Sequence, residues 1–376
     1  MKKSVAIIGT RGYPSHYGGF ETAVRKLAPY LADRAWDVVV YGRSQLAAPN
    51  DGADSRVTSV ITRGIESKAL STLSFGLTAV LDTLRRRPDV ALVMNVANGF
   101  WLPLLRLRGI PTVVNVDGME WERAKWGRLA KLVFKIGAWF TAKFGTALVF
   151  DSVEIARRWR IEFRREGYFI PYGGDELEAL PVEPGLTARE YVLFVARLVP
   201  ENSVLEFLQA AESLAPKWAV VIVGSSAYGS DYESRLSALK SRFPNIYVLG
   251  HISDDRRLHS LWQNAGAYFH GHSVGGTNPA LIQAMASGSP IVARDSVYNR
   301  EVLGDSGIYV APDGPSIATS VARLIASEGL KNRLSLKAKL RARKFYSWEA
   351  VCRSYEQVLQ GSLRNHGSKL SASSES

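Results

Sequence analysis

Short runs of Val, Ile, Leu and Ala alternate with longer stretches of helical period along the whole chain. In the first half, residues 5–9, 36–42, 57–62, 90–95, 111–116 and 146–150 predict strands. The segments 19–32, 70–86 and 121–144 between them predict helices. The second half repeats the scheme with strands at 191–197, 218–224, 245–250, 266–270 and 289–294, and closes on helices near 330–343 and 348–359. The strand runs are almost continuously apolar rather than alternating, as expected of parallel strands buried on both faces. Strands alternating with helices predict βαβ units, so the fold class is α/β with two Rossmann-like, doubly wound parallel-sheet domains.

One stretch breaks the rhythm. Residues 171–190 are rich in Pro, Gly and acidic side chains and hold no period, so they read as an interdomain linker. The expected organisation is a first domain over 1–172, a linker over 173–189 and a second domain over 190–345. A terminal helix over 346–362 is free to cross back to the first domain. The Ser-rich tail, 363–376, is expected to be disordered.

Composition narrows the class. With 376 residues, 46% hydrophobic and 22% charged, the chain is neither disordered nor fibrous. A single cysteine, Cys352, excludes a disulfide framework and a Cys-based zinc site, and fits a reducing compartment. The apolar run after Met1 stops at Ile8, too short for a signal peptide. The run at 90–105 is broken by Asn95, Asn98, Gly99 and Pro103, so it does not read as a membrane span. A cytoplasmic protein is expected, with contact to a membrane surface left open.

Charge then points to a partner. The net charge is +12, and residues 1–175 hold 26 Lys and Arg against 16 Asp and Glu, leaving only +2 for the remainder. Nucleic acid, an anionic membrane and a phosphorylated substrate all fit such a balance.

Four segments could carry chemistry. The Gly-rich turn at 9–22, GTRGYPSHYGGFET, follows the first strand and opens a helix, a geometry that brings backbone N–H groups to an anion. It departs from G-x-G-x-x-G, which disfavours a nicotinamide dinucleotide; Arg11, His16 and Glu21 add polar chemistry to it. The segment 115–126, NVDGMEWERAKW, sets Asp117 and Glu120 at a strand end, where a carboxylate either orients or deprotonates a substrate hydroxyl or caps the next helix. In 270–295, a turn with Gly275, Gly276, Thr277 and Asn278 precedes a helix N-terminus suited to phosphate, while His270 and His272 read equally as loop or core residues. No further His, Cys or carboxylate stands at metal-ligand spacing, so no metal is expected. Arg197, at the end of strand 191–197, either pairs with a diphosphate or is simply solvated.

These motifs, in this order, resemble the retaining nucleotide-sugar glycosyltransferases of family 4, with the GT-B fold. ARLVPEN and GGTNPALIQAMASGSPIV carry the broad resemblance, which covers about residues 1–360. GTRGYPSHYGGFET, VDGMEWERAKW and HGHSVGGTNP look like a bacterial rhamnosyltransferase-type branch. The resemblance implies transfer of a sugar from a nucleotide diphosphate, such as rhamnose from dTDP-rhamnose, between two domains facing a cleft, without a metal or other cofactor. Arg197 would neutralise the leaving diphosphate, with Gly18, Gly19, Asn202, His272, Gly275, Gly276, Thr277, Asn278 and Gln283 as donor contacts. Asp117 and Glu120 would join Arg197 in catalysis, and Arg11, His16, Glu21 and Trp121 would bind a glycan or lipid-linked acceptor. The chain departs from the family where a signature glutamate becomes Gly275, a second becomes Gln283, and a lysine becomes Asn202. A catalytically weak or inactive sugar-nucleotide-binding homologue is therefore the alternative.

The segment 121–144 accounts for much of the basic excess. Leu129, Leu132, Val133, Ile136, Phe140 and Phe144 share one helical face, and Arg128, Lys131 and Lys135 another, flanked by Trp126 and Trp139. Such a helix either lies on anionic lipid or packs its apolar face on the sheet. No motif supports nucleic-acid binding.

Overall fold

The apolar runs pair as parallel strands in two separate sheets. A computed structural model of the chain describes residues 2–15, 18–43, 53–65, 71–123, 126–225 and 231–374. The first sheet is built from β1 (Ser4–Ile8), α1 (Gly19–Asp33), β2 (Asp37–Arg43), β3 (Val57–Thr62), α2 (Ser71–Arg86), β4 (Val90–Met94), α3 (Leu102–Leu107), β5 (Thr112–Asn115), α4 (Arg128–Phe144), β6 (Ala147–Phe150), α5 (Val153–Phe163) and β7 (Tyr168–Phe169). Its strand order is β3-β2-β1-β4-β5-β6-β7, all parallel. Val5, Ile7, Val90, Leu92, Val113 and Leu148 are wholly buried, as the unalternating pattern requires.

The second sheet takes β8 (Tyr191–Val195), α6 (Val204–Leu214), β9 (Ala219–Val223), α7 (Asp231–Arg242), β10 (Ile246–Gly250), α8 (Asp255–Asn264), β11 (Ala267–His270), α9 (Pro279–Ala286), β12 (Ile291–Arg294), α10 (Val297–Leu303), β13 (Ile308–Val310), α11 (Gly314–Ile325) and α12 (Glu328–Phe345). Its order is β10-β9-β8-β11-β12-β13. Phe194, Phe207 and Phe269 stack at the centre of its core, with centroids 4.5–6.2 Å apart.

Contacts divide the chain into two compact units: Met1–Glu122, Trp126–Pro171 and Trp348–Ser376 form one, and Arg123–Lys125 with Tyr172–Ser347 the other. The last helix, α13 (Trp348–Ser374), thus belongs to the first unit. Its Tyr355 hydroxyl accepts from Asn115 Nδ2 at 2.6 Å, and its Glu356 accepts from Trp36 Nε1 at 3.1 Å. The helix runs to Ser374, where sequence composition predicts a disordered tail. Strands β7 and β13 are also unexpected, since two and three residues are too short to leave an apolar run.

The largest departure is in α4. The predicted segment 121–144 begins only at Arg128, after an extended Gly127 and a short turn at Glu120–Glu122. Its packed face is Gly137, Ala138, Thr141 and Ala142 rather than the leucines. A Cβ on Gly137 would lie 2.5 Å from the Val96 carbonyl oxygen, and one on Gly99 would lie 2.1 Å from the Gly137 carbonyl oxygen. Backbone therefore meets backbone, and the large side chains turn outward: Leu129 is 76% exposed, Leu132 54% and Trp139 49%.

Candidate functional site

Strand order reverses on either side of β8 in the second sheet, and ligands of doubly wound folds collect at the carboxyl ends of strands beside such a switch point. Two loops leave the sheet there, after β8 and after the neighbouring β11. They are laced together: Ser273 donates through its backbone N–H and its hydroxyl to the Glu201 carbonyl, both at 2.9 Å, and Ser203 Oγ donates to the Gly271 carbonyl at 2.8 Å. Arg197 projects exposed from the first loop, and among the described residues no carboxylate pairs with it. In the second, Gly275 (φ 98°), Gly276 and a buried Thr277 lead into α9, whose N-cap Asn278 accepts from the Ala280 N–H at 3.0 Å. The helix N-terminus adds partial positive charge to that of Arg197.

Below the second loop lie two stacked imidazoles, His270 and His272, with centroids 4.3 Å apart. His270 is wholly buried; its Nδ1 sits 3.0 Å from the Tyr268 hydroxyl and its Nε2 has no partner. Burial pushes its pKa down to about 3. Burial, His270 and Arg197 push the partly exposed His272 well below the ordinary range as well. Both rings are neutral at physiological pH, so the positive charge of this site comes from arginine and backbone.

The first unit has its own switch point, between β1 and β4. Gly9 ends β1 so close to β4 that a Cβ would stand 2.4 Å from the Met94 carbonyl oxygen. The buried Glu21 carboxylate accepts from the Arg11 N–H at 3.1 Å and ties the Gly-rich turn to α1. Beyond β4 and β5, Asn95 (φ 70°) and Asp117 (φ 64°) both adopt left-handed backbone. Asn95 Nδ2 donates to Asp117 Oδ2 at 3.0 Å, and the Asp117 N–H donates to Asn115 Oδ1 at 3.0 Å. Strained non-glycine residues of this kind cost about 1–3 kcal/mol each and gather at functional sites. Asp117 is thus held by side chains and is not an N-cap. Glu120 is buried and accepts from Trp126 Nε1 at 3.0 Å; Trp121 packs against Trp159 and Phe163.

Residues 18–167 match the glycosyl transferase 4-like domain, and residues 179–341 match the glycosyl transferases group 1 family. The chain belongs to the GT4-like, group 1 glycosyltransferases. Two curated relatives of this glycosyltransferase are a phosphatidyl-myo-inositol mannosyltransferase of Mycobacterium leprae, 27% identical over 59% of the chain, and O-antigen chain mannosyltransferase B of Escherichia coli, 24% identical over 46%. The matched regions span 60% and 46% of those proteins' own length. Among solved structures, sucrose-phosphate synthase from Thermosynechococcus elongatus superposes with a TM-score of 0.77 at 18% identity, covering 96% of this chain and 98% of its own. Anabaena HepE in complex with UDP gives 0.74 at 15% identity, covering 96% of this chain and 100% of its own. At these identities the likeness establishes the GT-B-like fold of two parallel α/β sheets.

Within the glycosyltransferase frame, the residues singled out from sequence fall in different surroundings. Arg197, His272, Gly275, Gly276, Thr277 and Asn278 share the second unit's switch point. Asn202 is buried beside them, and its Nδ2 donates to the Arg197 carbonyl at 2.8 Å. Gln283 sits on α9 with its amide engaged by the backbone of Asp175. Gly18 is the extended N-cap of α1 and Gly19 its first residue. His16 lies outside the described residues. Sequence reasoning missed Asn95, read only as an interruption of an apolar run, and Arg294, which ends β12 and donates from Nη1 to Ser203 Oγ at 3.0 Å. A basic residue closing an apolar strand run was the available signal for Arg294. Among the described residues, no group of three or more His, Cys, Asp or Glu could hold a metal ion, and no helix is long and apolar enough to cross a membrane.

Proposed function

We propose that this chain transfers a hexose or deoxyhexose from a nucleotide-diphosphate sugar to a glycan or lipid-linked acceptor, with retention at the anomeric carbon, in cell-surface polysaccharide or glycolipid synthesis. The observation that carries it is the switch-point site of the second unit, where Arg197 on the loop after β8 and the start of α9 after β11 leave adjacent strands within a region matching the group 1 family. As the glycosidic bond to the donor breaks, negative charge grows on the diphosphate. Arg197 and the backbone N–H groups around Gly276 and Thr277 stabilise that charge without reorganising. In the first unit, Asp117 orients and deprotonates the acceptor hydroxyl, and Arg11, Glu21 and Trp121 bind the acceptor, with His16 assigned to it by the sequence motif alone. The long sequence motifs favour rhamnose from dTDP-rhamnose, whereas the two relatives named above are mannosyltransferases. The exposed apolar face of α4, bordered by Lys131, Lys135 and Lys143, supports peripheral contact with an anionic membrane on its cytoplasmic side.

Incubation of purified protein with UDP-, GDP- and dTDP-sugars tests this reading. A thermal shift with one nucleotide class, followed by transfer or slow hydrolysis of its sugar, is expected; no shift and no turnover with any donor would overturn it. A second reading, a sugar-nucleotide-binding homologue without turnover, is favoured by one observation: Gln283 spends its amide on the Asp175 backbone instead of presenting a carboxylate. Binding without any sugar release across the panel would favour it.

A further inference from the structure

The crevice of the first unit opens at the carboxyl ends of its strands; a second concavity opens at their amino ends. It is an open groove of about 850 Å³ between the turn entering β7, the start of β6 and α13, lined among others by Arg160, Arg164, Arg165, Glu166, Tyr168 and Gly361. Residues 157–165 hold five arginines. Two of these are already matched: Arg157 forks onto Glu154 at 2.7 and 2.8 Å, and Arg158 pairs with Glu122. Of the three that line the groove, one has a carboxylate partner. Arg160 meets only Glu166, at 3.6 Å, with both side chains largely exposed. Among the described residues no carboxylate pairs with Arg164 or Arg165.

Arg165 is the least satisfied. It donates from Nη2 to the Gly145 carbonyl at 2.8 Å, but its Nε is buried without a partner. Burial, and after it the neighbouring Arg106, lowers its pKa. Three guanidinium groups against the single carboxylate of Glu166 leave an excess of self-repelling positive charge at the edge of low-dielectric protein, and an anion bound between them removes that repulsion. Three guanidinium groups lining one groove exceed what the one carboxylate there, Glu166, can satisfy. They suit a phosphate, which takes bidentate hydrogen bonds on several oxygens.

We propose that this groove binds a phosphate-bearing anion carrying at least two negative charges, either the headgroup of an anionic lipid or a free phosphate or diphosphate. The site is separate from the transfer crevice and does not depend on the sugar-transfer reading. Gly361 forms its open wall: a side chain added there meets nothing within 4 Å.

Two kinds of variant test it in the full chain, both made in an Arg197→Ala background so that diphosphate binding at the other unit is silenced. The first, Arg160→Ala with Arg164→Gly, removes two exposed charges; the glycine also relieves the left-handed backbone of Arg164 (φ 52°), which protects folding. The second, Gly361→Leu, fills the groove and leaves every arginine in place. Pyrophosphate is titrated by calorimetry, and cosedimentation is measured on phosphatidylcholine vesicles with and without phosphatidic acid. Both variants are expected to weaken at least one of these by roughly tenfold or more, with circular dichroism unchanged. Loss of pyrophosphate binding alone identifies a free anion, and loss on phosphatidic acid vesicles identifies a lipid headgroup. The proposal is overturned if neither variant changes either measurement.

Discussion

The side chain of Gln283 and the backbone of Asp175 exchange two hydrogen bonds: Gln283 Oε1 accepts from the Asp175 N–H at 3.0 Å, and Gln283 Nε2 donates to the Asp175 carbonyl at 2.8 Å. An amide can do both, and an ionised carboxylate cannot. The next link along the chain is similar, since the Gly174 N–H donates to the Tyr346 carbonyl at 2.8 Å and Arg343 forks onto Glu176. Residues 174–176 are therefore fastened to α9 and α12.

Gln283→Glu replaces the donor with a second acceptor facing a carbonyl. Although family resemblance makes glutamate the usual residue, the variant is expected to lose about 1–3 kcal/mol in urea denaturation at neutral pH. A variant as stable as the parent would show that the exchange contributes nothing.

Arg197→Ala removes the exposed cation at the switch point. Its expected effect is a loss of about 10–100-fold in kcat/KM for the nucleotide sugar, with melting temperature little changed. An unaltered kcat/KM would dissociate this residue from the diphosphate.

At Asp117 the backbone and the carboxylate can be separated. Asp117→Gly keeps the left-handed conformation free of strain, whereas Asp117→Ala retains a Cβ there, so alanine should be less stable by about 1 kcal/mol. Both lose transfer if the carboxylate serves the acceptor. Equal stability of the two would mean that the φ of 64° costs nothing.

His270 makes stability depend on pH. Its folded pKa, near 3, lies below its ordinary value of about 6.5, so the unfolded chain takes up the proton first as pH falls. Its contribution is complete above about pH 6.5 and is lost progressively as pH falls toward 3. His270→Asn should flatten the stability–pH slope between pH 6 and 4 by about one proton. A slope identical to the parent's would contradict this.

Leu129→Glu with Leu132→Glu alters only exposed positions of α4, so folding should change by less than about 0.5 kcal/mol for each. Binding to anionic vesicles should fall sharply. Vesicle binding that survives both substitutions would rule out this face as the contact.

The periodicity and turn chemistry of the sequence determined the two parallel sheets, nearly all the strands and the location of the four loops. Those signals are local: a buried strand needs an apolar run, and a strand-to-helix turn at an anion site needs glycine and a cap. Tertiary contact decided the rest. The leucines of α4 look like core by spacing, yet Gly99 and Gly137 bring two backbones together and leave no room beneath them. Gln283 looks like a weakened donor contact, yet Asp175, 108 positions away, takes its amide. Asn95 and Asp117 are ordinary polar residues in the sequence, and only the adjacency of β4 and β5 joins them. The charge excess followed the same division. The sequence located it in the first half, but the ion pairs of the folded chain decide which arginines stay unmatched, because a salt bridge depends on distances that spacing along the chain does not encode.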